Sequence, residues 1–221
     1  MLKRFLVIAI VLTLAISACS IMTPAGETVR GSGNVISETR AVSGFTSISV
    51  EGSADVDVVF GTTESLVIEA EDNILPLIET VVQNNRLIIR TRPQTSITTT
   101  RPIQVSLTMI SLEGVSMTGS GSIDVPELSG DSFSVKLPGS GSITIAGTAN
   151  SVDIDMLGSG TIDCEELEAR NATVDLGGSG TVRVYASESL DATLTGSGNI
   201  WYSGDPAMVN KTVTGSGSIQ E

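Results

Sequence analysis

The sequence has no histidine, only two cysteines and only seven aromatic residues among 221. Each shortage removes a class of function. Without imidazole, histidine-based acid–base catalysis and the commonest metal ligand are excluded. Cations are also scarce, at 12 Lys and Arg against 25 Asp and Glu, for a net charge of -13. Such a surface repels phosphate backbones, so nucleic acid is not expected as a partner. Aromatic stacking platforms reduce to Trp201, Tyr185, Tyr202 and the three Phe residues beyond position 5. Neither the Gly-x-Gly-x-x-Gly fingerprint nor a P-loop occurs, and no cofactor is expected. What remains is 40% hydrophobic and only 17% charged, the reverse of a disordered composition. The chain folds, and its length suits one domain or two small ones.

Met1-Leu2-Lys3-Arg4 is a short cationic head, followed by an apolar run from Phe5 to Ile16 and then Ser17-Ala18-Cys19. These three regions form an export signal over residues 1–18, too short for a bilayer span of about 20 residues. Ile16-Ser17-Ala18-Cys19 resembles a bacterial lipobox, which makes Cys19 the lipidation site and the acylated N-terminus of the mature chain. Residues 19–29 are then a tether, and the partner at this end is the membrane itself, through the lipid. Ser20 is not the aspartate that retains lipoproteins on an inner membrane, so a two-membrane cell would carry the protein on its outer one. Lipidation of Cys19 leaves Cys164 unpaired, with no intrachain disulfide.

Beyond the leader a repeat dominates. Gly-Ser-Gly occurs at 31, 119, 139, 158, 178, 196 and 215, the last six spaced by 20, 19, 20, 18 and 19 residues. Each of those six is followed by Ser, Thr or Asn and then by Ile or Val. From 119 to 196, apolar residues stand two and four positions before each triplet and again four and six positions after its first Gly. A spacing of two is that of a half-buried strand, whereas a helix would scatter these positions around its circumference. The pattern predicts an all-β parallel β-solenoid of about 19–20 residues per coil, with aligned branched side chains inside and a serine ladder along one edge. The corner glycines are Gly119, Gly121, Gly139, Gly141, Gly158, Gly160, Gly178, Gly180, Gly196, Gly198, Gly215 and Gly217. They are expected to supply positive φ or a close backbone approach. Cys164 falls in the inward column of Val125, Ile145, Val184 and Tyr202 and reads as core. Lys211 breaks the column of Val115, Val135, Ile154, Val174 and Ala192, as a capping repeat would.

Residues 30–118 are less regular than residues 119–221. Gly52-Ser53-Ala54 repeats the corner in degenerate form, and strand-like runs stand at 65–70, 86–91 and 103–109. Residues 73–82 suggest a short helix or a pair of turns, and 95–102 a polar loop. One continuous solenoid, with insertions in its first half, is expected.

The phased Gly-Ser-Gly-[Ser/Thr/Asn]-[Ile/Val] motifs, the opening Phe45-Thr46-Ser47-Ile48-Ser49-Val50 and the segment from Asn73-Ile74 to Leu87-Ile88-Ile89 resemble the bacterial head GIN domain family of autotransporter-adhesin type, over residues 30–220. The resemblance implies a right-handed β-helix, often exported as a lipoprotein. No barrel follows Glu221 in this sequence, so export through one is not expected.

Solenoid faces also carry polysaccharide lyases and hydrolases, which use carboxylates as acid, base or calcium ligands. The candidates here are Asp124 and Asp163, with Asp153, Asp155 and Asp175 on the incoming strands. The position of Asp124 and Asp163 is taken by Thr144, Arg183 and Trp201 in other coils, so no acidic row forms. Serine nucleophiles would have only Lys136 or Lys211 as base. The favoured reading is a non-catalytic binding, adhesin-like or scaffolding module of the envelope, whose partner is a glycan or an envelope protein. Its ligand-facing candidates are Trp201, Tyr185, Arg183, Asp124 and Asp163. The alternative is a carbohydrate-active enzyme using carboxylates on a solenoid face.

Overall fold

The computed structural model describes residues 27–221. The leader, Cys19 and residues 19–26 of the tether lie outside the described residues. The first half carries strands β1 (Glu27–Arg30), β2 (Val35–Arg40), β3 (Ser47–Gly52), β4 (Ala54–Phe60) and β5 (Ser65–Glu71). After a 3-10 turn at Leu75–Leu77 come β6 (Ile78–Gln83), β7 (Arg86–Thr91), β8 (Thr95–Thr98) and β9 (Ile103–Met109). The second half carries β10 (Gly114–Gly119), β11 (Ser122–Leu137), β12 (Ser142–Met156), β13 (Thr161–Cys164) and β14 (Leu167–Gly178). It closes with β15 (Thr181–Tyr185), β16 (Ser189–Gly196), β17 (Asn199–Ser203), β18 (Met208–Gly215) and β19 (Ser218–Gln220).

The second half is a parallel solenoid in which every strand pairs with the equivalent strand one coil away. One face stacks β10, the end of β11, the end of β12, β14, β16 and β18. The other stacks the starts of β11 and β12, then β13, β15, β17 and β19. A register shift between Val125 and Leu128 turns the chain from one face toward the other without breaking β11. Period-two alternation sends every second residue inward. Ile123, Ile143, Ile162, Val182 and Ile200 form one buried column, and Leu137, Met156, Leu176 and Leu194 another.

The corners explain the triplet. At all twelve glycines a Cβ would overlap a backbone carbonyl of the preceding coil; at Gly160, for example, it would meet the carbonyl oxygen of Gly141. Those carbonyls accept the next coil's N–H groups: Ser140 N–H donates to Gly119 O at 2.8 Å, and Thr161 N–H to Gly141 O at 3.0 Å. Close approach is therefore needed at both glycines of every corner, whereas positive φ occurs only at Gly178, Gly196 and Gly215 among the twelve. The intervening serines are exposed at every corner.

The first half departs from a plain solenoid in two ways. The coil of β3 and β4 lies between the coil of β7 and β9 and that of β10 and β11, so stacking order differs from chain order. The connecting strands run antiparallel: β6 against β7, β5 against β9 and β2 against β5. Where a helix or a pair of turns was expected over 73–82, one 3-10 turn leads into β6. Strand β6 reverses into β7 through Asn84 and Asn85, both left-handed at φ 53 and 60, the geometry of a two-residue type I′ hairpin. The expected polar loop at 95–102 contains β8, which pairs in parallel with β1 and so draws residues 27–29 of the tether into structure.

Gly31-Ser32-Gly33 turns no coil. It wraps Glu71, whose buried carboxylate accepts N–H bonds from Gly33 at 2.7 Å and Thr100 at 3.0 Å, and the Thr100 hydroxyl at 2.5 Å. The Thr100 hydroxyl, aided by these backbone donors and by that of Arg101, outweighs burial and lowers the carboxyl pKa from its ordinary 4.5. Asp72 is lowered as well, first by the Asn34 side chain and then by the Ser32 hydroxyl. A depressed carboxyl stabilises the fold above its unfolded pKa, and that contribution fades as pH falls through the folded value. The N-terminal end should therefore loosen below about pH 4.5, and Glu71→Gln should flatten the acid limb of a plot of denaturation midpoint against pH. An unchanged limb would remove Glu71 from this role.

The two ends of the stack differ. At the first, Arg40 folds inward and donates to the carbonyls of Ile78 at 2.6 Å and Leu75 at 3.1 Å, above buried Ile74 and Leu75. At the other, β18 is exposed along its length. Val209 and Val213 remain 37% and 46% accessible, although Leu190 and Leu194, their counterparts one rung in, are buried. Lys211 lies over the Tyr202 ring, 4.3 Å from its centre, and donates to its hydroxyl at 2.8 Å.

Candidate functional site

The outward column of the second face runs Asp57, Asp124, Thr144, Asp163, Arg183, Trp201 and Gln220, one residue per rung. Four of the five ligand-facing candidates therefore share a single line, because each stands at the same distance from its corner. They do not form a single cluster. Asp124 is four rung steps from Trp201, about 19 Å at about 4.8 Å per rung. Its strand neighbours are Asp57 and Thr144.

Asp163, Arg183 and Trp201 are consecutive. Asp163 faces Arg183 at 3.5 Å and also accepts the N–H of Glu165 at 3.2 Å, so its carboxylate orients the guanidinium and closes its own turn. Trp201, 41% exposed, stands on the other side of Arg183. With Glu165, Ser203 and Glu221, Arg183 and Trp201 line a depression of about 200 Å³. An indole face beside a planar guanidinium, a hydroxyl and carboxylates combines apolar area with directed donors and acceptors, the composition of a site for a polar ligand that has apolar faces.

Tyr185 follows Arg183 by two residues and so points to the same side, but it belongs to a second depression of about 320 Å³ with Asn150, Glu168, Arg170 and Ser187. These last residues were not singled out in the sequence. They come from the third run of each coil, beyond the bend, where the chain's spacing to the corner gives no guide to its neighbours across strands. Arg170 faces Glu188 at 3.7 Å.

Cys164 is fully buried in line with Val184 and Tyr202, and burial, with the charge of Asp163 beside it, pushes its thiol far up. A thiol so protonated is a poor nucleophile. Lys211 is engaged with Tyr202. Asp153 and Asp155 alternate on β12, with Asp175 beside Asp155. Among the described residues no three acids or thiols are grouped to hold a metal ion.

Three solved structures share the fold. An adhesin described as "putative" from Bacteroides fragilis NCTC 9343 matches with a TM-score of 0.73 at 24% identity, covering 87% of this chain and 99% of its own. A "putative lipid binding protein" from Parabacteroides distasonis ATCC 8503 gives 0.55 at 24% identity, covering 88% and 99%. A "putative adhesin" from the same strain gives 0.53 at 22% identity, covering 88% and 100%. At such identities the likeness bears on the fold alone. Comparison with curated proteins returned no match. The family model described as "Putative auto-transporter adhesin, head GIN domain" matches residues 44–206, from just before β3 to just before β18, and the chain belongs to that family.

Proposed function

We propose that the protein is an exported, lipid-anchored module of the cell envelope that binds a glycan without altering it, through the depression of Arg183, Trp201, Ser203 and Glu165. The observation that carries this reading is the placement of the chain's single tryptophan. It is exposed on a rigid rung beside a guanidinium that Asp163 already orients. Buried tryptophan would need only packing; an outward one beside fixed polar groups offers a face for stacking.

The position in the stack supports the same reading. Strand β1 sits beside β8 at the first end, whereas β17 is six rung steps beyond β9, about 29 Å along the axis. A lipid at Cys19 would leave the tryptophan patch on the half of the rod away from the membrane. The adhesin-type description of the family accords with such an outward display. Asp163, held by Arg183 and by its own turn, keeps the guanidinium in place, which fits a fixed binding surface.

The test is an array of envelope and host glycans probed with the chain, with and without calcium. Saturable retention is expected, and Trp201→Ala should weaken it about 30-fold, the effect of a central aromatic contact worth about 2 kcal/mol. No retention under any condition would move the assignment to a protein-binding or purely structural envelope module.

A further inference from the structure

The two depressions adjoin at the end of β15. Tyr185 pairs in register with Ser203 on the next rung; Tyr185 lines the larger depression and Ser203 the smaller, so the two adjoin across one rung step. They also repeat one chemistry. The smaller holds Trp201, Arg183 and Glu165, and the larger Tyr185, Arg170 and Glu168: an aromatic, a guanidinium and a carboxylate in each. In both cases the guanidinium faces a further carboxylate, Asp163 at 3.5 Å and Glu188 at 3.7 Å.

We infer that the ligand is an extended, uncharged oligosaccharide that lies across both depressions, stacking on Trp201 and on Tyr185. This rests on the reading of the Trp201 patch as a glycan site and deepens it. The length follows from the rungs. From Thr148 on β12 through Glu168 on β14 to Tyr185 and then Trp201, the lining crosses three rung steps of about 4.8 Å, enough for a run of about four sugar rings. The absence of charge on the ligand follows from the pairing. Each arginine is already balanced by a carboxylate, so an acidic sugar gains little from either guanidinium and meets the field of a chain with net charge -13. Hydroxyl groups, by contrast, are served by guanidinium donors and carboxylate acceptors together.

The experiment is calorimetric titration of the full chain in detergent with di- to hexasaccharides of glucose, mannose and N-acetylglucosamine, and with a matched series of uronic acids. One neutral series should bind with affinity rising about tenfold from the disaccharide to the tetrasaccharide and then levelling. Tyr185→Ala should remove the rise and leave disaccharide binding. Arg170→Ala, at a residue whose side chain is 64% exposed and outside the core, should do the same if Tyr185→Ala fails to fold. Trp201→Ala should weaken binding about 30-fold at every length. Equal affinity at all lengths, or a rise that survives both Tyr185→Ala and Arg170→Ala, would overturn the extended site while leaving the Trp201 site standing. Tighter binding of the uronic acids would overturn the choice of a neutral ligand. Failure of every saccharide to bind would overturn the inference together with the glycan reading beneath it.

Discussion

Gly158→Ala should destabilise the protein by about 3 kcal/mol or more, a large effect for one methyl group. The added carbon would overlap the carbonyl group of Gly139 in the coil beneath. Overlap with backbone is harder to relieve than overlap with a flexible side chain, because both coils are fixed by their own ladders on either side of the corner. The displaced chain would also disturb the bond that Ser179 N–H donates to Gly158 O from the coil above, at 3.3 Å. In a chain of 221 residues this should lower the melting temperature by about 6–12 °C. Two comparisons isolate the cause. Ser159→Ala alters an exposed residue at the same corner and should stay within about 0.5 kcal/mol of the parent. Gly217→Ala meets the same kind of overlap, with Gly198 O, but only β19 follows it, so the damage should be confined to fraying of the last rung. Equal, small effects at Gly158 and Ser159 would mean that the corners are flexible connections and not close-packed ones.

Phe133→Ala should cost about 3–5 kcal/mol. Phe133 is among the largest fully buried side chains and begins the inward column that continues through Val152, Ala172 and Leu190. No other residue in that column has its volume, so the neighbours have nothing to fill the space with. The depression of about 580 Å³ bounded by Leu112, Asp131 and Asp153 adjoins Phe133, and truncation would open the core toward it. Phe133→Leu keeps most of the volume and should cost less than about 1.5 kcal/mol. Urea denaturation of the two variants measures both; a loss below about 1 kcal/mol for Phe133→Ala would mean that this end of the core is loosely packed.

The second half of the molecule was legible because one local requirement recurs at every coil. A corner that admits no Cβ, flanked by inward residues at a spacing of two, leaves the same mark each time, and the columns from Ile123 to Ile200 follow from it. The first half was less legible because its pairings are long-range. Nothing near Ser47 says that β3 will lie between β7 and β10, and the run 73–82 has apolar spacing that suits a helix as well as a turn and a strand. One local signal was present: Asn84-Asn85 between two branched runs is turn chemistry for a tight hairpin. Glu71 gave no sign, since an acid at an alternating position on β5 reads as solvent-facing until Gly31-Ser32-Gly33 and Thr100 are seen to enclose it. Half of the candidate site was readable for the same reason as the columns: Asp163, Arg183 and Trp201 share one register. Asn150, Glu168 and Arg170 were not, because the bend after Val125 and its counterparts hides which residues of the third run meet Tyr185.

The most direct test of the central claim, that this solenoid presents a non-catalytic glycan site at Trp201, is a nuclear magnetic resonance titration of the isotopically labelled chain with a saccharide retained on the array. Saturable shifts are expected for the Trp201 indole N–H and for the amides of Arg183, Tyr185 and Ser203, with the sugar's own signals unchanged after prolonged incubation. Shifts confined to the opposite face around Asp153, Asp155 and Asp175, or new reducing-end signals from the sugar, would contradict it.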